Sequence, residues 1–202
     1  MSLHNRVKIH EVVTLAQDWA VLRKTRLSFL RRDGQWQEQW RETYDRGNGA
    51  TILLYDLARR TVLLTSQFRY PALVNGHDDL MIETPAGLLD HAAPGDRIRA
   101  EVEEETGFRV GAITPLFDLF MSPGSVTERL YFFAAPYDPQ DRVGPGGGCA
   151  EEGEDIGLLE MPLEEALAAI GQGRIRDAKT VILLQYAALH LFGPVPATTP
   201  AA

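Results

Sequence analysis

The chain opens with a loose alternation of apolar and polar residues that predicts extended strands. Apolar side chains recur through residues 7–30, and the turn signal at 32–34, Arg-Asp-Gly, separates them from a second extended run at 35–44. The Gly-Asn-Gly segment at 47–49 ends this pattern. We therefore expect a small antiparallel sheet ahead of the main part of the chain.

The rest of the chain mixes short β-type runs with helical stretches. Two dense apolar runs joined by a short turn, 50–55 and 61–65, predict a hairpin of the central sheet. The other predicted strands are 80–83, 116–120, 129–135 and 156–161, and the predicted helices are 96–106, 163–170 and 177–191. This mixture predicts an α/β or α+β fold with helices on the faces of a mixed sheet.

The predicted helix at 96–106 is dense in glutamate. Asp96 is a suitable N-cap residue, and Gly107 is suited to a left-handed end of the helix. A longer loop follows later in the chain, at 138–155, and contains Gly146-Gly147-Gly148. These glycines lack the Lys-Ser/Thr that would follow in a P-loop, so we expect them to give mobility to a lid.

Three glutamates of the acidic helix share one face. At about 100° per residue, Glu101, Glu104 and Glu105 fall together and Glu103 falls on the opposite side. Clustered carboxylates repel one another unless a cation lies among them, and their oxygens suit a hard ion such as Mg²⁺. Arg97, one turn before Glu101, lies on the same face and could neutralise part of the charge. A solvated acidic face is the alternative interpretation.

Size and charge exclude several classes of function. The 202 residues fit one domain, or one domain with an N-terminal appendage, and the net charge of −8 differs from the basic footprint of nucleic-acid-binding proteins. The sequence shows no apolar signal core and no apolar run long enough to span a membrane. Cys149, the single cysteine, cannot form an internal disulfide. We therefore predict a cytoplasmic protein without nucleic-acid or membrane partners.

The acidic helix and the glycine before it resemble the Nudix box, G-x5-E-x7-R-E-U-x-E-E-x-G-U, in which U is an apolar residue. Gly87 matches the opening glycine. The matches to the closing half of the pattern are Glu101, Val102, Glu104, Glu105, Gly107 and Phe108. The metal-binding half of the box is therefore intact.

The opening half of the box departs from the family pattern. Ala93 stands where the first glutamate belongs, and Ala100 stands where the arginine belongs. The spacing between the opening glycine and the second glutamate is also one residue short. Arg97 or Arg99 could replace the missing arginine, and Arg97 has the better helical phase.

The resemblance extends over roughly residues 5–192 and is to the GDP-mannose pyrophosphatase branch of the Nudix hydrolases, which is similar to the ADP-ribose pyrophosphatases. The segments that carry it are 41–50, Gln67-Phe68-Arg69, Asn75-Gly76, Met121-Ser122-Pro123-Gly124, Gly146-Gly147-Gly148 and 175–180. It implies an α/β/α sandwich with a mixed central sheet. It also implies a homodimer in which the N-terminal antiparallel sheet is exchanged between subunits.

The resemblance divides the chain into an N-terminal dimer-forming segment, 1–46, and a Nudix hydrolase domain, 47–192. The Pro/Ala/Thr-rich tail, 193–202, is predicted to be disordered from its composition.

The resemblance also implies a Mg²⁺ site, with Mn²⁺ as a possible substitute. The implied metal ligands are the carbonyl of Ala86 and the side chains of Glu101, Glu105 and Glu154, with Glu104 as a further candidate. The implied substrate contacts are Arg41, Glu42, Arg69, Ala86, Gly87, Glu128 and Lys179, with Trp19 contributed by the other subunit as a base-stacking aromatic. Glu154, or its neighbour Glu151 or Glu152, could be the general base or the last ligand.

These residue types suit the hydrolysis of a diphosphate. An arginine such as Arg69 can grip phosphate with two donors, and Lys179 supplies a point charge. We expect Mg²⁺-dependent cleavage of a nucleoside diphosphate sugar, with GDP-mannose giving GMP and mannose 1-phosphate. ADP-ribose, giving AMP and ribose 5-phosphate, is the second candidate substrate.

Two interpretations without catalysis stay open at this point. Ala93 and Ala100 are compatible with a Nudix-fold module that binds a nucleotide without cleaving it. An interaction protein with an incidental acidic helix is the other alternative.

Overall fold

The computed structural model describes residues 2–193, which form two compact units. The first unit comprises the chain up to Asn48 together with Phe120–Leu130, and the second comprises Gly49–Leu119 and the chain from Tyr131 onward. The predicted disordered tail, 193–202, lies outside the described residues apart from Gly193.

The first unit contains a three-stranded antiparallel sheet, as the alternation predicted. Its strands are β1 (Val7–Gln17), β2 (Val21–Leu30) and β3 (Trp36–Asp45), in the order β1-β2-β3, preceded by a 3-10 turn at Leu3–Arg6. The predicted turn at 32–34 joins β2 to β3, and Gly34 supplies its positive φ of 80°. Every residue of these three strands is at least partly exposed.

The second unit is built on a seven-stranded sheet. The strands are β4 (Gly49–Asp56), β5 (Thr61–Gln67), β6 (Met81–Glu83), β7 (Ala86–Leu88), β8 (Thr114–Phe120), β9 (Arg129–Pro136) and β10 (Gly157–Pro162). The main strand order is β10-β5-β4-β9-β8, with β6 paired to β5 and β7 paired to β4. The predicted hairpin at 50–55 and 61–65 is confirmed as the antiparallel pair β4–β5.

Four helices accompany this sheet: α1 (Tyr70–Val74), α2 (Pro94–Thr106), α3 (Leu163–Gly171) and α4 (Ala178–His190). The pattern predicted three of them and missed α1, which is too short to show a helical period. It also missed β7, which has only three residues. None of the described helices has the length and apolarity needed to cross a bilayer.

The prediction for α2 was correct at its C-terminal end and wrong at its N-terminal end. Gly107 ends the helix in the left-handed conformation, as expected, with a φ of 74°. The helix begins at Pro94 rather than Asp96, because proline is well suited to the first helical position. Ala93 is therefore the N-cap residue, and the prediction that Asp96 caps the helix was wrong. Asp96 instead lies in the first turn, where a negative charge favours the helix dipole.

The core of the second unit lies on both sides of β4. Ile52 and Leu54 of this strand share one apolar cluster with Ile98 and Val102 of α2. Leu53, which alternation directs to the other face, is fully buried, and α4 also packs on β4. Because β4 is buried on both faces, its sequence is a near-continuous run of apolar residues, and this run predicted the strand. The sheet therefore has a helix on each side.

Candidate active site

The strand β7 and the helix α2 meet at Gly87 and Glu101. Gly87 is paired with Ala50 of β4, and a Cβ atom at Gly87 would lie 1.8 Å from Oε1 of Glu101. Only a glycine therefore leaves room for the Glu101 carboxylate against this strand. The opening glycine of the box thus has a steric role in placing the second glutamate.

Glu105, one turn after Glu101, is buried with a carboxylate oxygen that has no partner. The residue is 1% exposed, and no described residue donates a hydrogen bond to its Oε2 atom. An unpaired buried carboxylate costs several kcal/mol unless a proton or a cation compensates it. This oxygen therefore marks a place where a cation would be strongly stabilised.

Arg97 lies beside Glu101 and Glu104, on the face of α2 where helical phase places it. Its guanidinium forms an ion pair with Glu101 and lies 3.7 Å from Glu104, while its Nε donates to the carbonyl of Leu88 at 3.1 Å. Arg99 instead donates to the carbonyls of Gly95 and Gly111. The assignment of Arg97 to the role of the missing box arginine stays a prediction, which its contact with Glu101 supports.

Burial and neighbouring charges disfavour ionisation of both buried glutamates. Burial, opposed by Arg97 and assisted by Glu104, Glu154 and Glu152, raises the pKa of Glu101 to about 7. Burial also raises the pKa of Glu105 well above its ordinary value, with added repulsion from Glu101 and Glu154. Repulsion from Glu154 thus contributes to the raised pKa of both residues. Glu104, by contrast, is half exposed.

The glycine-rich segment 146–148 is fastened to the end of α2. The amides of Gly147 and Gly148 donate to the carbonyls of Glu105 and Glu104 at 2.8 and 3.0 Å. A Cβ atom at Gly146 would lie 2.6 Å from the carbonyl carbon of Thr106, so the close approach requires glycine. These contacts cap the end of the acidic helix, and the lid mobility that the sequence suggested stays a prediction.

The loop after these glycines carries Glu154. Its Oε2 accepts a hydrogen bond from the amide of Cys149 at 2.9 Å, and a short 3-10 turn at Ala150–Glu152 lies between the two residues. A Cβ atom at Gly148 would lie 2.5 Å from the same oxygen. The glycine segment thus brings Glu154 into the neighbourhood of α2. Glu151 and Glu152 lie in the 3-10 turn and are exposed.

A divalent cation is the group that this class of site implies. Among residues 2–193, no three acidic, histidine or cysteine side chains form a group that could hold a metal ion. The unpartnered oxygen of Glu105, the Glu101 carboxylate seated over Gly87 and the oxygen-only chemistry nevertheless fit a hard divalent ion. A backbone carbonyl and solvent would have to complete its coordination.

The two predicted phosphate-binding cations meet at a residue that the sequence did not suggest. Arg69 donates to Glu83 through Nε at 2.9 Å and Nη2 at 2.8 Å, and Lys179 donates to Oε2 of Glu83 at 3.0 Å. Lys179 also pairs with Asp177 at 3.0 Å. Glu83 ends the predicted strand 80–83. The only sequence feature that distinguishes it is its charge next to apolar residues.

Burial alone would raise the pKa of the Glu83 carboxyl, but Lys179 and Arg69 outweigh it and lower that pKa below its ordinary value. The lowered pKa favours the ionised carboxylate, so the cluster combines a negative charge with two positive charges. The charge of Glu105 contributes to raising the pKa of Arg69, after the larger effects of burial, which lowers that pKa, and of Glu83, which raises it.

The other predicted substrate contacts lie in the first unit. Trp19, in the turn between β1 and β2, is 68% exposed. Arg41 and Glu42 lie on β3, where Arg41 donates to the carbonyl of Trp40 and to Gln39. Glu128 is buried and pairs with Arg46.

An α/β unit whose glutamate-rich helix ends at a left-handed glycine and packs a glutamate against a glycine of a neighbouring strand has the organisation of a Nudix hydrolase. The model of the GDP-mannose pyrophosphatase NudK N-terminal domain matches residues 6–44. That match covers the three-stranded sheet of the first unit.

Similar proteins cover nearly the whole chain. A GDP-mannose pyrophosphatase of Pectobacterium atrosepticum is 50% identical over 185 residues, which is 91% of this chain and 95% of that protein. A second, from Klebsiella pneumoniae, is 50% identical over 85% of this chain and 86% of its own length. A third, from Yersinia enterocolitica, is 47% identical over 91% of this chain and 97% of its own length. The chain therefore belongs to the GDP-mannose pyrophosphatase family of Nudix hydrolases.

Proposed function

We infer that this protein hydrolyses the pyrophosphate bond of GDP-mannose with Mg²⁺ and releases GMP and mannose 1-phosphate. The observation that carries the inference is the pairing of two buried glutamates, Glu101 and Glu105, with a nearby cluster of Arg69 and Lys179. Oxygen ligands beside phosphate-binding cations are what cleavage of a diphosphate requires. The relatives that match 85–91% of the chain carry the name of this activity.

The glutamates of α2 would hold the metal. Glu101 and Glu105 would offer their carboxylate oxygens, the carbonyl of Ala86 would join them from β7, and Glu154 would approach from the loop. When bound, Mg²⁺ (or Mn²⁺ in its place) neutralises phosphate charge and lowers the pKa of a bound water. Glu104, half exposed at the same face, is a further candidate ligand.

The cations would bind and orient the diphosphate. Arg69 has guanidinium donors beyond the two that Glu83 accepts, and its side chain is 42% exposed, so a phosphate can reach it. Lys179 adds a second positive charge from the start of α4. Glu154, or its neighbour Glu151 or Glu152, would accept the proton of the attacking water. One water is added and each product leaves as a phosphate monoester.

The first unit would complete the site of a second subunit. Its sheet leaves many apolar side chains exposed, which in a monomer would be costly. The exposed apolar residues of β1–β3 and the intervening turn include Ile9, Val12, Leu15, Trp19, Trp36 and Trp40. A homodimer would cover such a surface, with Trp19 stacking on the nucleobase and Arg41, Glu42 and Glu128 contacting the nucleotide.

Product analysis tests this function directly. The purified protein is incubated with Mg²⁺ and GDP-mannose, ADP-ribose, other nucleotide sugars and dinucleoside polyphosphates, and the products are separated by chromatography. We expect preferential release of GMP and mannose 1-phosphate. Preferential release of AMP from ADP-ribose would keep the mechanism and replace the substrate. Binding without any product, with Mn²⁺ also tried, would indicate a nucleotide-binding module instead.

A further inference from the structure

The carboxylate of Glu83 joins the two cations that the proposed function assigns to phosphate. Arg69 binds it in a two-pronged arrangement, and Lys179 shares the oxygen Oε2 with the Nη2 atom of Arg69. Because Nη2 and Nζ both contact one oxygen, at 2.8 and 3.0 Å, they can be no farther apart than the sum of those distances. The two cations are therefore close enough to contact one phosphate group together.

Glu83 itself is held rigidly. Its side chain is 4% exposed. Its backbone belongs to β6 and pairs with Thr65 of β5 at the edge of the sheet. The next residue, Thr84, donates its amide to the hydroxyl of Thr180 in the first turn of α4 at 2.7 Å. The carboxylate is thus fixed to both the strand and the helix that carries Lys179, as precise positioning of a site requires.

Lys179 occupies a position that the helix alone would disfavour. It lies in the first turn of α4, where the helix dipole repels a positive charge. Its side chain is also largely buried, at 12% exposure. Glu83 and Asp177 offset both costs. A buried lysine at such a position is better explained by a ligand than by the stability of the helix.

We propose that Glu83 is a positioning residue, whose buried carboxylate holds Arg69 and Lys179 side by side so that they bind the diphosphate as one unit. The proposal rests on the proposed function. With Glu83 and Asp177 ionised, the four-residue cluster carries no net charge. Its contribution is therefore the placement of N–H donors rather than a general attraction for anions.

The direction in which the affinity for GDP-mannose changes in one variant distinguishes positioning from simple electrostatics. Glu83→Gln keeps the shape of the side chain and removes one negative charge, which by charge alone should tighten the binding of an anionic ligand. If Glu83 positions the cations, affinity for GDP-mannose in EDTA, measured by calorimetry without turnover, falls about tenfold. In the same variant with Mg²⁺, kcat/KM falls between about tenfold and a hundredfold. Unchanged or tighter metal-free binding would overturn the proposal.

A second variant tests position without a change of charge. Glu83→Asp keeps the carboxylate and withdraws it by one methylene group, so positioning again predicts weaker metal-free binding and a lower kcat. A purely structural role would lower the thermal midpoint and leave both quantities unchanged in the folded enzyme. The matched control is Glu164→Gln, which breaks the ion pair with Arg60 at the start of α3 and should leave both quantities at the wild-type level.

A double-mutant cycle shows whether Glu83 acts through Lys179. In a Lys179→Met background, Glu83→Gln should cost clearly less in affinity than it does in the wild type. Losses that simply multiply would show that the two residues act independently and would overturn the proposal. Failure of the wild-type enzyme to release GMP would refute the proposed function instead, while the metal-free affinities would still report on Glu83.

Discussion

Gly87 and Glu101 occupy adjoining space so closely that no side chain fits between them. A Cβ atom at Gly87 would lie 1.8 Å from Oε1 and 2.1 Å from Cδ of the Glu101 carboxylate. Glu101 is itself 4% exposed and cannot retreat into solvent without leaving the core side of α2. The strand β7 therefore determines where this carboxylate lies.

Gly87→Ala should displace Glu101 and lower kcat at least about a hundredfold, because a small misplacement of a reacting group is enough for that loss. Steady-state kinetics with GDP-mannose and Mg²⁺ measures it. The control is Gly95→Ala in the first turn of α2, where a Cβ atom would meet Ile113 at an ordinary 3.5 Å. Gly95→Ala should retain full activity, and equal losses in the two variants would contradict the steric argument.

Arg97→Ala should reduce kcat about tenfold or more, because Glu101 loses its partly buried cation and the hydrogen bond to the carbonyl of Leu88 is lost. Arg99→Ala removes a charge of the same sign from the same helix, but Arg99 contacts the carbonyls of Gly95 and Gly111 and the exposed Asp96 rather than the buried glutamates. We expect it to stay within about twofold of the wild type. The reverse order of the two effects would assign the missing box arginine to Arg99.

Glu105→Gln should abolish the thermal stabilisation of the protein by Mg²⁺ and lower kcat by about two or more orders of magnitude. Without metal, its thermal midpoint should equal or exceed that of the wild type, because an unpartnered buried charge is removed. Differential scanning fluorimetry with EDTA and with Mg²⁺ measures both effects. Glu103→Gln is the control, since Glu103 pairs with Arg109 at the exposed side of α2. An undiminished Mg²⁺ shift in Glu105→Gln would remove this residue from the metal site.

The stability contributed by Glu83 should depend on pH in a defined direction. Lys179 and Arg69 lower the pKa of Glu83 below its ordinary value of 4.5, so folding favours the ionised form. Its contribution is therefore fully present above that ordinary value and is lost as the pH falls through the lowered pKa. We expect Glu83→Gln to reduce the free energy of unfolding by about 2 kcal/mol at pH 7.

Urea unfolding of the wild type and of Glu83→Gln between pH 7 and pH 3 measures this difference. The two free energies should converge at the acid end of the range. Parallel curves across the whole range would mean that the ion pairs of Glu83 contribute nothing to folding.

Trp19 should act from the partner subunit if the homodimer is correct. Trp19→Ala should then raise KM about tenfold by removing a base-stacking surface. At GDP-mannose concentrations far below KM, mixing Trp19→Ala with Glu105→Gln under conditions of subunit exchange should restore about a quarter of wild-type activity, because half of the dimers then carry one intact site. Mixing Glu101→Gln with Glu105→Gln is the control and should restore nothing. No recovery in the first mixture, despite exchange, would place Trp19 and the box in one subunit.

Much of the fold was predictable because the signals were local. The dense runs that became β4 and β5 lie between turn residues, and Gly107 marks the end of α2 in sequence as it does in space. The misses have equally local reasons. The segments α1 and β7 are too short to establish a period, and Pro94 starts α2 before the acidic residue that looked like its cap.

The candidate site was predictable only in part. The helical phase was sufficient to predict that Arg97 lies beside Glu101, because one turn of helix places residues four apart together. Glu83 could not be found in this way. Its partners are the N-cap residue of α1, Arg69, and Lys179 at the start of α4, and no local pattern links those segments.

The sequence by itself determined that Glu101, Glu104 and Glu105 share one face of a helix, because helical periodicity depends only on neighbours along the chain. Tertiary structure alone decided that Glu105 is buried without a partner and that Glu104 is half exposed. It alone brought Arg69, Glu83 and Lys179 into one cluster. Burial and long-range pairing follow from the order of strands in the sheet and from the packing of α2 and α4 on β4, which residue spacing does not encode.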